Sequence, residues 1–133
     1  GSRANPAVVA MFQPEIDPGE HRDLRTIRFW VYGKFTTTAS ISSYPNGTAI
    51  VHCFTSQGTT VTGTMSWSSS ESSFTWKYVD VNVPAMAHAR GSRAPSYVVI
   101  TLGNDGGRDD VGVEVLQIAA VANTIDTHGG IAI

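Results

Sequence analysis

Thr59-Thr60-Val61-Thr62-Gly63-Thr64-Met65-Ser66-Trp67 decides the fold class. Hydroxylated and apolar residues alternate through it with a period of two, the pattern of a strand with one dry face and one wet face. Lys34-Phe35-Thr36-Thr37-Thr38-Ala39-Ser40-Ile41 repeats the pattern. Serine and threonine supply the wet faces that charged side chains usually supply, since Asp, Glu, Lys and Arg together make up only 15% of the chain.

The same period recurs on both sides of these stretches. Residues 7–12 are a short apolar run and read as a first strand, and 13–22 hold Pro14, Pro18 and Gly19 and read as a loop. Residues 24–32 form the clearest strand, with Ile27, Phe29 and Val31 on one face and Arg28, Trp30 and Tyr32 on the other. Gly33 permits a bend, so 35–41 is expected to be a separate strand. Tyr44-Pro45-Asn46-Gly47 predicts a tight hairpin, because Asn-Gly readily takes positive φ. Residues 48–54 and 59–67 follow as strands joined by Ser56-Gln57-Gly58, and 68–73 is a polar loop tip. Residues 74–83 set Phe74, Trp76 and Tyr78 opposite Thr75, Lys77, Val79, Val81 and Val83.

The remainder of the chain completes the pattern. Residues 84–95 are a connection with room for one helical turn at most, too little to stand alone. The runs 97–102 and 111–122 are almost wholly apolar and are expected to be buried on both faces, while 125–133 reads as a last strand interrupted at Gly129-Gly130. Eight or nine strands with regular turn signals and no long helix predict one all-β domain over residues 1–133. Its expected architecture is an antiparallel β-sandwich or a jelly-roll-like barrel.

Composition narrows the function. A chain of 133 residues can bury a sufficient core without staples, and the single Cys53 excludes an intrachain disulfide. Net charge is −2, only Lys34 and Lys77 are lysines, and the arginines are interleaved with acids. That balance argues against nucleic acid, whose phosphates need a basic footprint. No apolar run approaches the roughly 20 residues that cross a bilayer, and no signal peptide opens the chain. Gly1-Ser2 reads as a cloning remnant.

Two groups of residues are candidates for a site. Asp105, Asp109 and Asp110 lie in a Gly/Asp-rich loop, where hard oxygen ligands and Gly106-Gly107 could together hold calcium. The spacing lacks the pattern of an EF-hand, and an ordinary hairpin with an acidic tip is the plainer reading. Trp30, Tyr32, Trp67, Trp76 and Tyr78 could form an aromatic surface for a partner or ligand. Asn46-Gly47-Thr48 meets the N-glycosylation sequon, though the hairpin explains the same residues. His21, His52, His88 and His128 are scattered without zinc spacing. His52 and Cys53 alternate on one strand and so point apart, which precludes a nucleophile–base pair. No Gly-x-Ser-x-Gly elbow is present. An enzyme is not expected, nor any cofactor beyond calcium.

The Ser/Thr/Gly-rich, lysine-poor and helix-poor character of the chain resembles the protruding (spike) domain of small icosahedral RNA virus capsids, those of shrimp and prawn nodaviruses in particular. The resemblance lies in general character over the whole chain and not in a motif. It implies a β-rich C-terminal part of a coat protein, exposed on the virion surface, that forms a homodimer and contacts a host-cell receptor or glycan. The basic RNA-binding arm of such coat proteins lies at the other end of the polypeptide, in keeping with the lack of a basic patch here. Alternatives are a carbohydrate-binding module of a secreted protein and a C1q- or tumour-necrosis-factor-like trimeric ligand domain. A hydrolase has the least support.

Overall fold

The computed structural model describes residues 7–12, 22–54, 60–82 and 97–126, with side chains described for 26–54, 60–82 and 97–121. Outside them lie the loop at 13–21, the turn Ser56-Gln57-Gly58, the connection at 84–95, most of the strand expected at 125–133, and His21, His88 and His128.

The described residues are all-β and contain no helix. Seven strands follow in order: β1 (Ala7–Phe12), β2 (Arg22–Thr37), β3 (Gly47–Phe54), β4 (Thr60–Trp67), β5 (Thr75–Asn82), β6 (Tyr97–Asn104) and β7 (Val111–Asp126). They make a four-stranded sheet ordered β1-β6-β3-β4 and a three-stranded sheet ordered β5-β2-β7, with every pairing antiparallel. The two sheets share one core, an arrangement consistent with a β-sandwich.

The alternation read from sequence is what fills that core. Ile27, Phe29, Val31 and Phe35 of β2 point inward with Val81 of β5 and Val111 and Val113 of β7. They meet Ala49, Val51 and Cys53 of β3, Met65 and Trp67 of β4, and Val98 and Ile100 of β6. Among the described residues, Trp67 and Phe29 are the largest side chains removed completely from solvent. Burying each such side chain contributes roughly 1.5–3 kcal/mol.

Four expectations are corrected. The segments 24–32 and 35–41 do not form two strands, because β2 runs unbroken through Gly33 to Thr37. Gly33 takes up a register shift against β7, with Tyr32 opposite Gln117 and Gly33 opposite Val115. Ile125 and Asp126 belong to β7, and the rest of the strand expected at 125–133 lies outside the described residues. The strands of the described residues number seven.

Asn46-Gly47 does not turn a hairpin either, since β2 and β3 belong to different sheets. Gly47 is the first residue of β3, and Gly107 alone among the described residues has positive φ, at 71°. The reason for a glycine at 47 is proximity: a Cβ there would run into the carbonyl oxygen of Gly112. By the same topology the loop between β6 and β7 is a crossover from one sheet to the other, and not an acidic hairpin.

Finally, β7 is not buried on both faces. It is an edge strand, with Leu116 63% and Val121 57% exposed. β6 buries Val98 and Ile100 on its inner face and only partly covers Val99 and Thr101 on the other.

Candidate functional site: the outer face of the three-stranded sheet

The side of the β5-β2-β7 sheet that faces away from the core is aromatic. Directly opposite residues of an antiparallel pair project to the same side, so the register builds this face row by row. Arg28 lies between Asp80 and Val121, Trp30 between Tyr78 and Ala119, and Tyr32 between Trp76 and Gln117. Phe74, just before β5, adds a fifth ring. The pleat that sends Phe29 and Val31 inward therefore sends Trp30 and Tyr32 outward.

The rings form a connected cluster. Tyr32 lies against Phe74 at 5.4 Å with a 30° interplanar angle, and against Trp76 at 5.1 Å and 32°. Trp30 meets Tyr78 at 4.9 Å and Trp76 edge-on at 6.4 Å. Each such pair contributes roughly 0.5–1.5 kcal/mol beyond its buried area, so the cluster holds itself in place. Trp76 and Tyr78 still expose 41% and 50% of their surface. Two large rings left half in water on one sheet face make an exposed apolar patch.

Charges flank the rings in pairs. Arg28 donates from Nε and Nη2 to the two carboxylate oxygens of Asp80 at 2.8 and 2.9 Å, a bidentate fork. That hydrogen bond is the main reason why Asp80 sits below the ordinary carboxylate range and Arg28 above its own. The same guanidinium lies 4.0 Å from the centre of the Tyr78 ring. At the other end, Lys34 Nζ lies 3.9 Å from Glu114 and 5.0 Å from the centre of the Phe74 ring.

Of the five aromatic residues singled out in the sequence, Trp30, Tyr32, Trp76 and Tyr78 thus come together and Trp67 does not. Trp67 is completely buried, packed near Gly33 on the inner side of the sandwich, and is corrected from interface to core. Its phase carries the signal: Trp67 falls in step with Val61 and Met65, opposite the exposed Thr62, Thr64 and Ser66. Phe74 was legible on the same grounds, being in step with Trp76 and Tyr78. The Arg28–Asp80 fork, between residues 52 apart in sequence, was not.

The acidic loop is organised by its own side chains. Asn104 Oδ1 accepts the backbone N–H groups of Gly106 at 2.9 Å and Arg108 at 3.1 Å, and Asn104 Nδ2 donates to the carbonyls of Arg108 and Val111. Asp105 accepts the Asn46 N–H at 2.8 Å, pinning the loop to the start of β3. Asp110 is held by Arg108 at 2.8 and 2.7 Å, which keeps its carboxyl below the ordinary range. Asp105 and Asp110 therefore turn to separate partners, and among the described residues no three His, Cys, Asp or Glu side chains converge on one point.

The sequon residues are likewise committed. Asn46 Nδ2 donates to Asp105 at 3.3 Å, and Thr48 is buried. His52 Nε2 bonds the Thr101 hydroxyl at 3.0 Å on the outer side of the four-stranded sheet, while Cys53 points into the core. Desolvation raises the Cys53 thiol to about 11, so it stays protonated at neutral pH. No protein-family model matches this chain, and no curated protein is similar to it.

Proposed function

We propose that this chain is a non-catalytic contact module, the protruding domain of a viral capsid, that stands on the virion surface as a dimeric spike. It attaches to the host cell through the outer face of the β5-β2-β7 sheet. One observation carries the reading: five aromatic rings gather on that face, with Trp76 and Tyr78 substantially exposed.

The orientation of the rings favours a protein over a sugar as the surface met. Sugar recognition needs open ring faces, whereas Tyr32 turns toward Phe74 and Trp76, and Arg28 lies over Tyr78. What remains available is ring edge and apolar flank, the kind of surface that anchors protein interfaces.

Size supports the dimer. Three strands about 4.8 Å apart, over the eight residues that β2 shares with β5, make a flat patch of roughly 400 Å². A standard interface takes about 800 Å² from each partner. A single face therefore binds weakly, and pairing two copies raises attachment through effective concentration. The test combines light scattering with binding to shrimp cells. A dimer at high micromolar concentration and binding that falls roughly 30-fold or more in Trp76→Ser are expected. A trimeric mass, or affinity for free glycans in place of cells, would favour one of the alternatives.

A further inference from the structure

We infer that the spike dimer forms edge to edge, by antiparallel pairing of β7 with the β7 of a second copy, so that two three-stranded sheets become one six-stranded sheet. The inference rests on the proposal that the chain works as a dimer, and it assigns the surface that makes it.

An edge strand offers a row of unpaired N–H and C=O groups to any other strand, and proteins guard such edges with charge, proline, shortness or a cover. Three of the four edges here are guarded. β1 is only six residues long. β4 lies along the other sheet, close enough that a Cβ on Gly63 would meet Val79 at 2.7 Å. β5 carries Lys77 and Asp80.

β7 is guarded least: its two charges, Glu114 and Asp126, stand near its ends, a register shift falls at Leu116, and no described element covers its free side. It is 16 residues long, and from Val115 to Ile125 it contains no charge, no proline and no glycine. Leu116 and Val121 stand exposed on it, and no described element pairs with its free side. This composition is the one that pairs strongly with copies of itself.

Self-pairing also suits the residue order. With a two-fold axis at Ala119, Gln117 comes opposite Val121, Ala119 opposite its own counterpart, and Glu114 opposite Thr124. No like charges are brought together across the seam. The rows of the outer face then continue from one copy to the next, so that two ring clusters lie side by side on the same surface of one sheet. That arrangement is the geometry a bivalent attachment surface needs.

The test places charge at the centre of the seam. Ala119→Lys sets two ammonium groups directly opposite each other and should raise the dimer dissociation constant about fivefold or more, with the circular dichroism and melting of the monomer unchanged. Mixing Ala119→Lys with Ala119→Glu should restore a heterodimer. Trp76→Ser, on the far strand of the sheet, should lose cell binding and remain dimeric. A wild-type monomer would overturn both the dimer and its edge. A dimer kept by Ala119→Lys but lost in Trp76→Ser would overturn the edge alone and assign dimerisation to the aromatic face. Failure of the mixed variants to pair would overturn the two-fold register.

Discussion

The two sheets turn opposite chemistries to the outside. On the four-stranded sheet, Thr62, Thr64 and Ser66 of β4 stand in solvent, His52 bonds Thr101, and the large rings among the described side chains are Phe54 and Tyr97, stacked at 4.5 Å. On the three-stranded sheet, five rings and two ion pairs occupy the same kind of surface. Both inner faces are alike in being aliphatic and aromatic core. The inner faces are set by folding. The outer faces differ in what they expose: mostly hydroxyl groups beside Tyr97 on one, and a ring cluster flanked by ion pairs on the other.

Tryptophan provides the sharpest way to break this comparison. Trp67→Ala removes a completely buried ring and should cost about 3–5 kcal/mol of stability, read from chemical denaturation. Trp76→Ser, on the outer face, should cost about 1 kcal/mol from its ring contacts and abolish most cell binding. Equal losses of stability would erase the distinction between the two positions. Next in size is Gly47→Ala, in which the new methyl group meets the Gly112 carbonyl. We expect a loss of about 1–3 kcal/mol from overpacking, against a near-neutral result if Gly47 were merely a turn residue.

A smaller effect concerns the crossover from β4 to β5. Glu71 accepts Lys77 at 2.7 Å and the Ser68 N–H at 2.9 Å, and its carbonyl receives the Phe35 N–H at 2.9 Å. The Lys77 hydrogen bond is the largest cause holding the Glu71 carboxyl below its ordinary value. A carboxylate lowered in the folded state contributes stability above its unfolded pKa, near 4.3, and that contribution is lost as pH falls through the folded value. The Glu71 contribution should therefore be constant from neutral pH to about pH 5 and decline below it. Glu71→Gln should flatten part of that decline and cost about 1 kcal/mol at pH 7. Smallest of all, Thr62→Val and Thr64→Val should leave cell binding unchanged and stability within about 0.5 kcal/mol. A loss of binding in those variants would move the site to the other sheet.

Much of the fold was legible because alternation reports directly which face of a strand is dry. The rows Ile27-Phe29-Val31 and Arg28-Trp30-Tyr32 emerge from the structure as they read in the sequence. Connectivity was less legible. Asn46-Gly47 and the loop after Asn104 carry local turn chemistry, but that chemistry does not say whether the next strand pairs with the last one or crosses to the other sheet. Gly33 looked like a break since a glycine can bend a strand; here it absorbs a one-residue slip against β7. The apolar run 111–122 suggested burial on both faces, and only its place at a sheet edge explains the exposed Leu116 and Val121. Four of the five site aromatics were found from phase and residue type, and Trp67 was misplaced when type was allowed to outweigh phase. The acidic residues were grouped by nearness in sequence, but their partners, Asn46 and Arg108, divide them.

The most direct test of the central claim is to measure shrimp-cell binding by the wild type, by Trp76→Ser with Tyr78→Ser, and by Thr62→Val with Thr64→Val, all matched for folded fraction. The account predicts that the aromatic double variant loses binding while the threonine double variant retains it. Retention of binding by the aromatic double variant would contradict the account, because the face proposed to make the contact would then have no part in it.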